Sequence, residues 1–391
     1  MTVKLYHIVL PVLLLLLVGC QAEKQAEEIA WVNGTLDKSA SGSMMPFTVQ
    51  VEQAGDPIGI DFRGALVSGT LRVQLVDADG ESVWQEEVSS AGAFVVNTVV
   101  NAPEAGKYQL GLVWDGPVQA QYSLQYKPGK IEPPAISPLA LLGGLGMIAV
   151  AAGYIIYVIV RRLSGGYLAL GALAWVVAVA LKFAWAIPIN TLVYNALYNA
   201  LPKALAGPVF YVYVGSLTGV FEVALVWLVL RYTRLGKADW RRVLAFGIGF
   251  GAVEALLLGL SSLGNVVAAM LMPNVFPPAA LEQIAQANNI LYGLAPILER
   301  FFTVLVHILS NVLIFYAVAR RQPRWFWLAF VYKTVIDSVA AYAQVTGLTL
   351  GKIWVIEAIV AVWGVIGWLG TRLIARSYSE VAGGHLAGTE S

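Results

Sequence analysis

Two regimes of hydrophobic patterning divide the chain. From about Trp31 to Tyr126, apolar and polar residues alternate in short runs, as in Phe47-Thr-Val-Gln-Val-Glu52, Leu71-Arg-Val-Gln-Leu-Val76 and Tyr108-Gln-Leu-Gly-Leu-Val113. Turn signals such as Asp77-Ala-Asp79-Gly80 and Pro103-Glu-Ala-Gly106 lie between them. Period-two alternation at this spacing predicts a small antiparallel β-sandwich over 31–128. Beyond a Pro-Gly and Pro-Pro linker at 129–136, the alternation gives way to long apolar runs. Seven of these reach the ~20 residues that a helix needs to cross a bilayer. They lie near 137–160, 167–188, 209–230, 243–265, 290–319, 325–345 and 350–371. The expected fold is therefore a polytopic α-helical bundle of about seven spans over 137–376, carrying an N-terminal all-β sandwich ectodomain. The intervening stretch 189–208 has mixed polarity and reads as a surface or re-entrant helix.

Composition agrees with the second regime. The chain is 58% hydrophobic and 13% charged, with a mean hydropathy of +0.70, far from a soluble globular domain. A formal net charge of +1 leaves no basic surplus for nucleic acid. The N-terminus has Lys4, an apolar run from Ile8 to Val18, and then Gly19-Cys20. That run is too short to span and reads as a secretory signal over 1–20. Leu17-Val18-Gly19-Cys20 resembles a bacterial lipobox, which makes Cys20 a lipidation site, with residues 21–30 as a polar tether.

Positive residues then orient the spans. Arg161 and Arg162, the group from Arg231 to Arg242, Arg320 to Arg324, and Arg372 with Arg376 fall in alternate connections. The positive-inside rule puts those connections and the tail 377–391 in the cytoplasm. The β-domain is then outside, where the lipobox requires it. The expected location is a bacterial cytoplasmic membrane, with membrane lipids as surroundings.

Within the spans, several ionisable residues stand where hydrocarbon disfavours them by roughly 2.5–3.5 kcal/mol each. One segment reads Gly247-Ile-Gly249-Phe-Gly251-Ala-Val-Glu254. The next holds Glu299, Arg300 and His307, and the third holds Lys333 and Asp337. Helical rise brings Glu254, His307 and Asp337 to one level near mid-bilayer. Gly247, Gly251 and Glu254 share one helix face, where small residues let another helix approach. Arg300, Thr303, His307 and Asn311 form a second stripe. Lys333 and Asp337 pair at i, i+4. Imidazole and carboxylate at that depth are ordinary ligands of catalytic zinc, with a carboxylate as general base. Glu299-Arg300 reads first as an inter-helix clamp.

These motifs together resemble the YhfC family of intramembrane metalloproteases, similar to the CAAX prenyl endopeptidases and bacteriocin-processing membrane proteases. The resemblance covers about 137–376 and is specific over 247–337. It implies a hydrolytic zinc site built from Glu254 and His307, supported by Asp337 or Glu299, acting on a membrane-embedded or lipidated peptide. One position departs from the pattern. Lys333 stands where the third motif expects histidine, and the other histidines, His7 and His385, are far from the spans. A protonated lysine does not ligate metal. The resemblance therefore leaves two alternatives: a working protease, or an inactive relative serving as a membrane scaffold, as one superfamily member does within γ-secretase. A proton-coupled carrier using Lys182, Glu222, Glu254, Lys333, Asp337 and Glu357 is a third, without an inverted repeat to support it.

Overall fold

The computed structural model describes residues 30–128, 134–273, 276, 278–346 and 349–387. The signal, Cys20 and the tether up to residue 29 lie outside the described residues, as do 129–133 of the linker and the last four residues of the tail.

Alternation in the first regime folds into eight strands. They are β1 (Ala30–Lys38), β2 (Gly42–Val51), β3 (Pro57–Ser68), β4 (Leu71–Val76), β5 (Ser82–Val88), β6 (Gly92–Asn101), β7 (Gly106–Trp114) and β8 (Val118–Pro128). Two four-stranded antiparallel sheets result, ordered β1-β8-β3-β6 and β2-β7-β4-β5. Both give side chains to one core, among them Phe62 and Leu124 from the first sheet and Leu75 and Leu110 from the second. Strand β3 has little solvent-facing character. Ile60 and Phe62 enter the core, while Asp61 and Arg63, which alternate with them, are also buried. Arg63 Nε donates to Asp61 Oδ1 at 2.5 Å, and Asn97 adds a bond to Asp61 Oδ2 at 3.0 Å. A second guanidinium nitrogen of Arg63 donates to the carbonyl of Phe276 at 2.5 Å. Phe276 belongs to the stretch 268–285, which groups with the strands. The outer side of β3 is thus covered by chain from elsewhere in the sequence.

Helices make up the second regime. They are α1 (Leu141–Val160), α2 (Gly165–Ala200), α3 (Lys203–Thr218), α4 (Leu225–Tyr232), α5 (Trp240–Leu271), the short α6 (Pro278–Ala285), α7 (Ile290–Arg320), α8 (Pro323–Thr346) and α9 (Leu350–Ala387). A π-helical turn, Gly219–Ala224, joins α3 to α4 without a break. Six candidate spans are long and apolar enough to cross a membrane: Pro138–Val160, Gly165–Ala200, Lys203–Tyr232, Trp240–Leu271, Ile290–Arg320 and Leu350–Tyr378. The remaining predicted span is α8. It is a continuous helix of 24 residues, and Arg324, Lys333 and Asp337 hold its hydropathy below that of its neighbours.

One expectation fails. Residues 189–200 are not a separate surface element but the end of α2, which runs 36 residues with Pro188 inside. The Asn and Tyr residues that gave this stretch its mixed polarity are compatible with a helix, and the chain breaks only before Pro202, whose ring disfavours helical backbone at the preceding residue.

Helix α7 is the centre of the helical unit. Its second half, from Val304 to Ala317, is almost wholly buried, and α1, α8 and α9 all pack against it. Helix α5 closes on it through glycine. A Cβ at Gly247 would lie 2.9 Å from the Ile308 Cα, and one at Gly251 2.9 Å from the Val304 Cα. Gly249 faces the other way, where a Cβ would be 2.0 Å from the Leu168 carbonyl of α2. The Gly-x-Gly-x-Gly run therefore serves two helix contacts at once, one on each face.

Candidate functional site

Close packing of α5 on α7 brings Glu254 against the polar stripe of α7. His307 Nε2 is 2.7 Å from Glu254 Oε2. The same oxygen accepts from Trp175 Nε1 of α2 at 3.0 Å. Glu254 Oε1 is held by Arg300, whose other terminal nitrogen holds Glu299 Oε1. Arg300 thus clamps α7 to α5 as well as to its own neighbour. His307 is 1% exposed, and its ring packs on Phe250 at 5.2 Å between centroids. Asn311, one turn on, donates to the His307 carbonyl at 2.9 Å. His307 Nδ1 and Asn311 Oδ1 are buried with no hydrogen-bond partner among the described residues. Thr303 is half-buried on the same stripe.

A second cluster forms where the π-helical turn meets α8. The extra residue in such a turn re-aims the side chains that follow it, and here the turn contains Glu222. Lys182 Nζ of α2 donates to Glu222 Oε1 at 2.7 Å and lies 3.4 Å from Thr218 Oγ1. Lys333 Nζ of α8 lies 3.2 Å from Glu222 Oε2 and 3.2 Å from Asp337 Oδ2. Lys333 is 3% exposed. The resulting order is Lys182, Glu222, Lys333, Asp337, with charge alternating across three elements.

Of the residues nominated from the sequence, Cys20 lies outside the described residues and Glu357 is buried outside both clusters. Glu254, Glu299, Arg300 and His307 form the first cluster, Asn311 and Thr303 flank it, and Gly247 and Gly251 bring its helices together. Lys333 and Asp337 belong to the second. Asp337 does not touch His307 or Glu254 directly; its ionic partner is Lys333. Sequence reasoning placed Lys182 and Glu222 only on a hypothetical carrier path, although each is a charge inside an apolar segment. Trp175 carried no such signal, since one indole among twelve tryptophans is unremarkable.

The family model for the YhfC intramembrane metalloprotease matches residues 146–360. The chain belongs to the YhfC family. This YhfC-family chain is 28% identical over 171 residues to the protein named "Uncharacterized membrane protein YhfC" of Bacillus subtilis (strain 168), an alignment covering 39% of this chain and 65% of that relative. It therefore spans about two-thirds of the length of the curated relative it matches. With its apolar helices, the protein is membrane-embedded. Among solved structures, a Bacillus endospore appendage of a disulfide-linked pilus family aligns with 29% of the chain and 98% of its own length at 9% identity and a TM-score of 0.19. The infectious bursal disease virus VP2 subviral particle aligns with 25% and 32% at 14% identity and a TM-score of 0.19. Likeness this slight carries no argument.

The family name raises the question of a metal, and the donor set answers it. A catalytic zinc takes three protein ligands and keeps one position open. No group of three His, Cys, Asp or Glu side chains near enough to share an ion occurs among the described residues. His307 and Glu254 offer two donors facing each other. The remaining carboxylates are held by cations of the protein itself: Glu299 by Arg300, Glu222 by Lys182 and Lys333, Asp337 by Lys333. A divalent ion here would have to compete with three fixed positive charges. The residues do not fit zinc.

Proposed function

We propose that this chain is a non-hydrolytic member of the YhfC family, a scaffold that uses its polar core to hold a membrane-embedded peptide or protein partner. The observation that carries the reading is the position of Lys333. Its ammonium lies between Glu222 and Asp337, at 3.2 Å from each, on the helix where the family resemblance calls for a histidine ligand. A lysine ammonium is a compact point charge with three donors. It can neutralise two carboxylates, but it offers no lone pair to a metal while protonated. Glu222 and Asp337 are thereby partners in internal ion pairs.

In this reading, the β-domain stands on the extracytoplasmic side of a bacterial cytoplasmic membrane. Cys20 carries the lipid anchor and the tail faces the cytoplasm. The partition of arginines among the connections supports that orientation.

The deciding experiment is metal analysis of the purified full-length protein and its Lys333→His variant. The scaffold reading expects substoichiometric zinc in the natural protein and a gain in the variant. Stoichiometric zinc in the natural protein, lost in both His307→Ala and Glu254→Gln, would overturn it.

One observation favours a second, hydrolytic reading: the 2.7 Å contact between His307 Nε2 and Glu254 Oε2. A carboxylate–imidazole pair is a competent acceptor for a proton from water. Against it, both Glu254 oxygens are already engaged by His307, Arg300 and Trp175. Cleavage of a membrane-inserted peptide that disappears in Glu254→Gln, with unchanged folding, would establish this reading in place of the first.

A further inference from the structure

Away from the charged clusters, helices α7, α8 and α9 enclose a groove of about 320 Å³. Leu309, Trp325, Leu328, Val335 and Ile366 line it. Its floor is made by Tyr332 and Trp363, whose rings stack at 5.5 Å with 13° between planes. Their polar atoms are spent on each other's backbone. Tyr332 Oη donates to the Trp363 carbonyl at 2.8 Å, and Trp363 Nε1 to the Tyr332 carbonyl at 3.0 Å. The groove therefore offers a ligand no hydrogen bond, and its occupant must need none. A peptide in extended form brings unpaired backbone groups that cost several kcal/mol in such a place. A hydrocarbon chain brings none. The groove is also open at the side, since Val331 and Leu373 on its rim are 42% and 69% exposed.

Charge at one end names the rest of the ligand. Trp325 is the first lining residue of α8 and Leu373 and Ile374 are the last of α9, so Arg324 and Arg372 adjoin the same end of the groove in sequence. Both arginines are exposed. The Arg324 guanidinium lies over the Trp325 ring at 5.2 Å, and that of Arg372 over Trp368 at 4.5 Å. Helix α8 begins at Pro323, so its free N–H groups and the positive end of its dipole are at this same level. An apolar slot ending in two arginines and a helix N-terminus is complementary to an acyl chain ending in a phosphate.

We propose that this groove is a binding site for an anionic phospholipid, with one acyl chain along α8 and the headgroup phosphate between Arg324 and Arg372. The site is separate from the Glu254 and Lys333 clusters and does not depend on whether the protein hydrolyses peptides.

The test uses the full chain, purified in detergent and offered equimolar dioleoylphosphatidylglycerol and dioleoylphosphatidylcholine, with bound lipid counted by native mass spectrometry. The expected result is one retained lipid per chain, with the anionic one preferred. Arg324→Gln and Arg372→Gln should each weaken retention of the anionic lipid about 5-fold, and the pair roughly 30-fold, the effect of about 1 kcal/mol per basic residue near a lipid phosphate. Filling the groove with Leu328→Trp should remove retention of both lipids. In the unmodified protein, phosphatidylglycerol with brominated acyl chains should quench a tryptophan component that is missing in Trp325→Phe. This last arm does not depend on how a groove-filling variant folds. Equal retention of the two lipids, retention unaffected by Leu328→Trp, or quenching unchanged by Trp325→Phe would each overturn the proposal.

Discussion

Lys333 Nζ lies 3.2 Å from Glu222 Oε2, linking α8 to the π-helical turn deep in the helical unit. Each has one further ionic partner, Glu222 in Lys182 and Lys333 in Asp337. Taking an ion out of water costs several kcal/mol even after relaxation, and the partner's field offsets that cost only while both are present. The pair is therefore a condition for the local packing of α8 against α3 and the π turn.

Removing one side of the pair should show this directly. Lys333→Ala leaves Glu222 and Asp337 without their shared cation, and a loss of about 3–5 kcal/mol is expected for a broken buried pair. Lys333→Met together with Asp337→Asn should recover a good part of that loss, because Glu222 keeps Lys182 and no charge of the cluster is left unpaired. Thermal unfolding in detergent is the measurement. A double variant no more stable than Lys333→Ala would show that the pair is not what holds α8.

Arg300 joins Glu254 to Glu299 through two different guanidinium nitrogens. Only a planar fork reaches both carboxylates at once. Arg300→Lys should therefore behave much like Arg300→Gln, with each destabilising by about 3 kcal/mol. Full rescue by lysine in the same unfolding assay would mean that charge alone is needed.

Gly251 and Gly247 set how closely α5 approaches α7. An added Cβ at either would come within 2.9 Å of the Cα of Val304 or Ile308, which is backbone that cannot rotate away. Gly251→Ala should cost about 1–3 kcal/mol by overpacking and lengthen the His307 to Glu254 contact. Gly264→Ala on the same helix, which meets nothing within 4 Å, is the matched control. Equal stability of the two variants would refute a packing role for the glycine run.

Arg63 binds both Asp61 and the Phe276 carbonyl. Arg63→Met removes a contact between β3 and the Phe276 carbonyl and takes the guanidinium from buried Asp61. Faster cleavage within 268–285 by an added protease is expected, with the strands themselves still resistant. An unchanged cleavage rate would show that the stretch is held by other contacts.

The sequence made the two regimes legible because each follows from a short-range rule. Alternation at period two is enough to call for strands, and about 20 apolar residues are enough to call for a membrane helix. The spacing of Gly247, Gly251 and Glu254 likewise shows a single helix face, and depth arithmetic puts His307 beside it. The helical end of α2 was misread because mixed polarity was taken to mean exposure of a separate element, whereas the helix simply continues through Pro188 to Ala200.

Sequence by itself determined which residues are charged within the apolar segments and which of them share a helix face. Only the tertiary structure decided who pairs with whom. It gave Lys333 to Glu222 as well as Asp337, brought Lys182 in from α2, and set Trp175 on Glu254. The reason is physical. Depth and face are properties of one helix and can be counted along it, but a buried ion pair is a property of two or three helices. Their rotation is fixed by glycine contacts and by a π-helical turn that no local pattern announces.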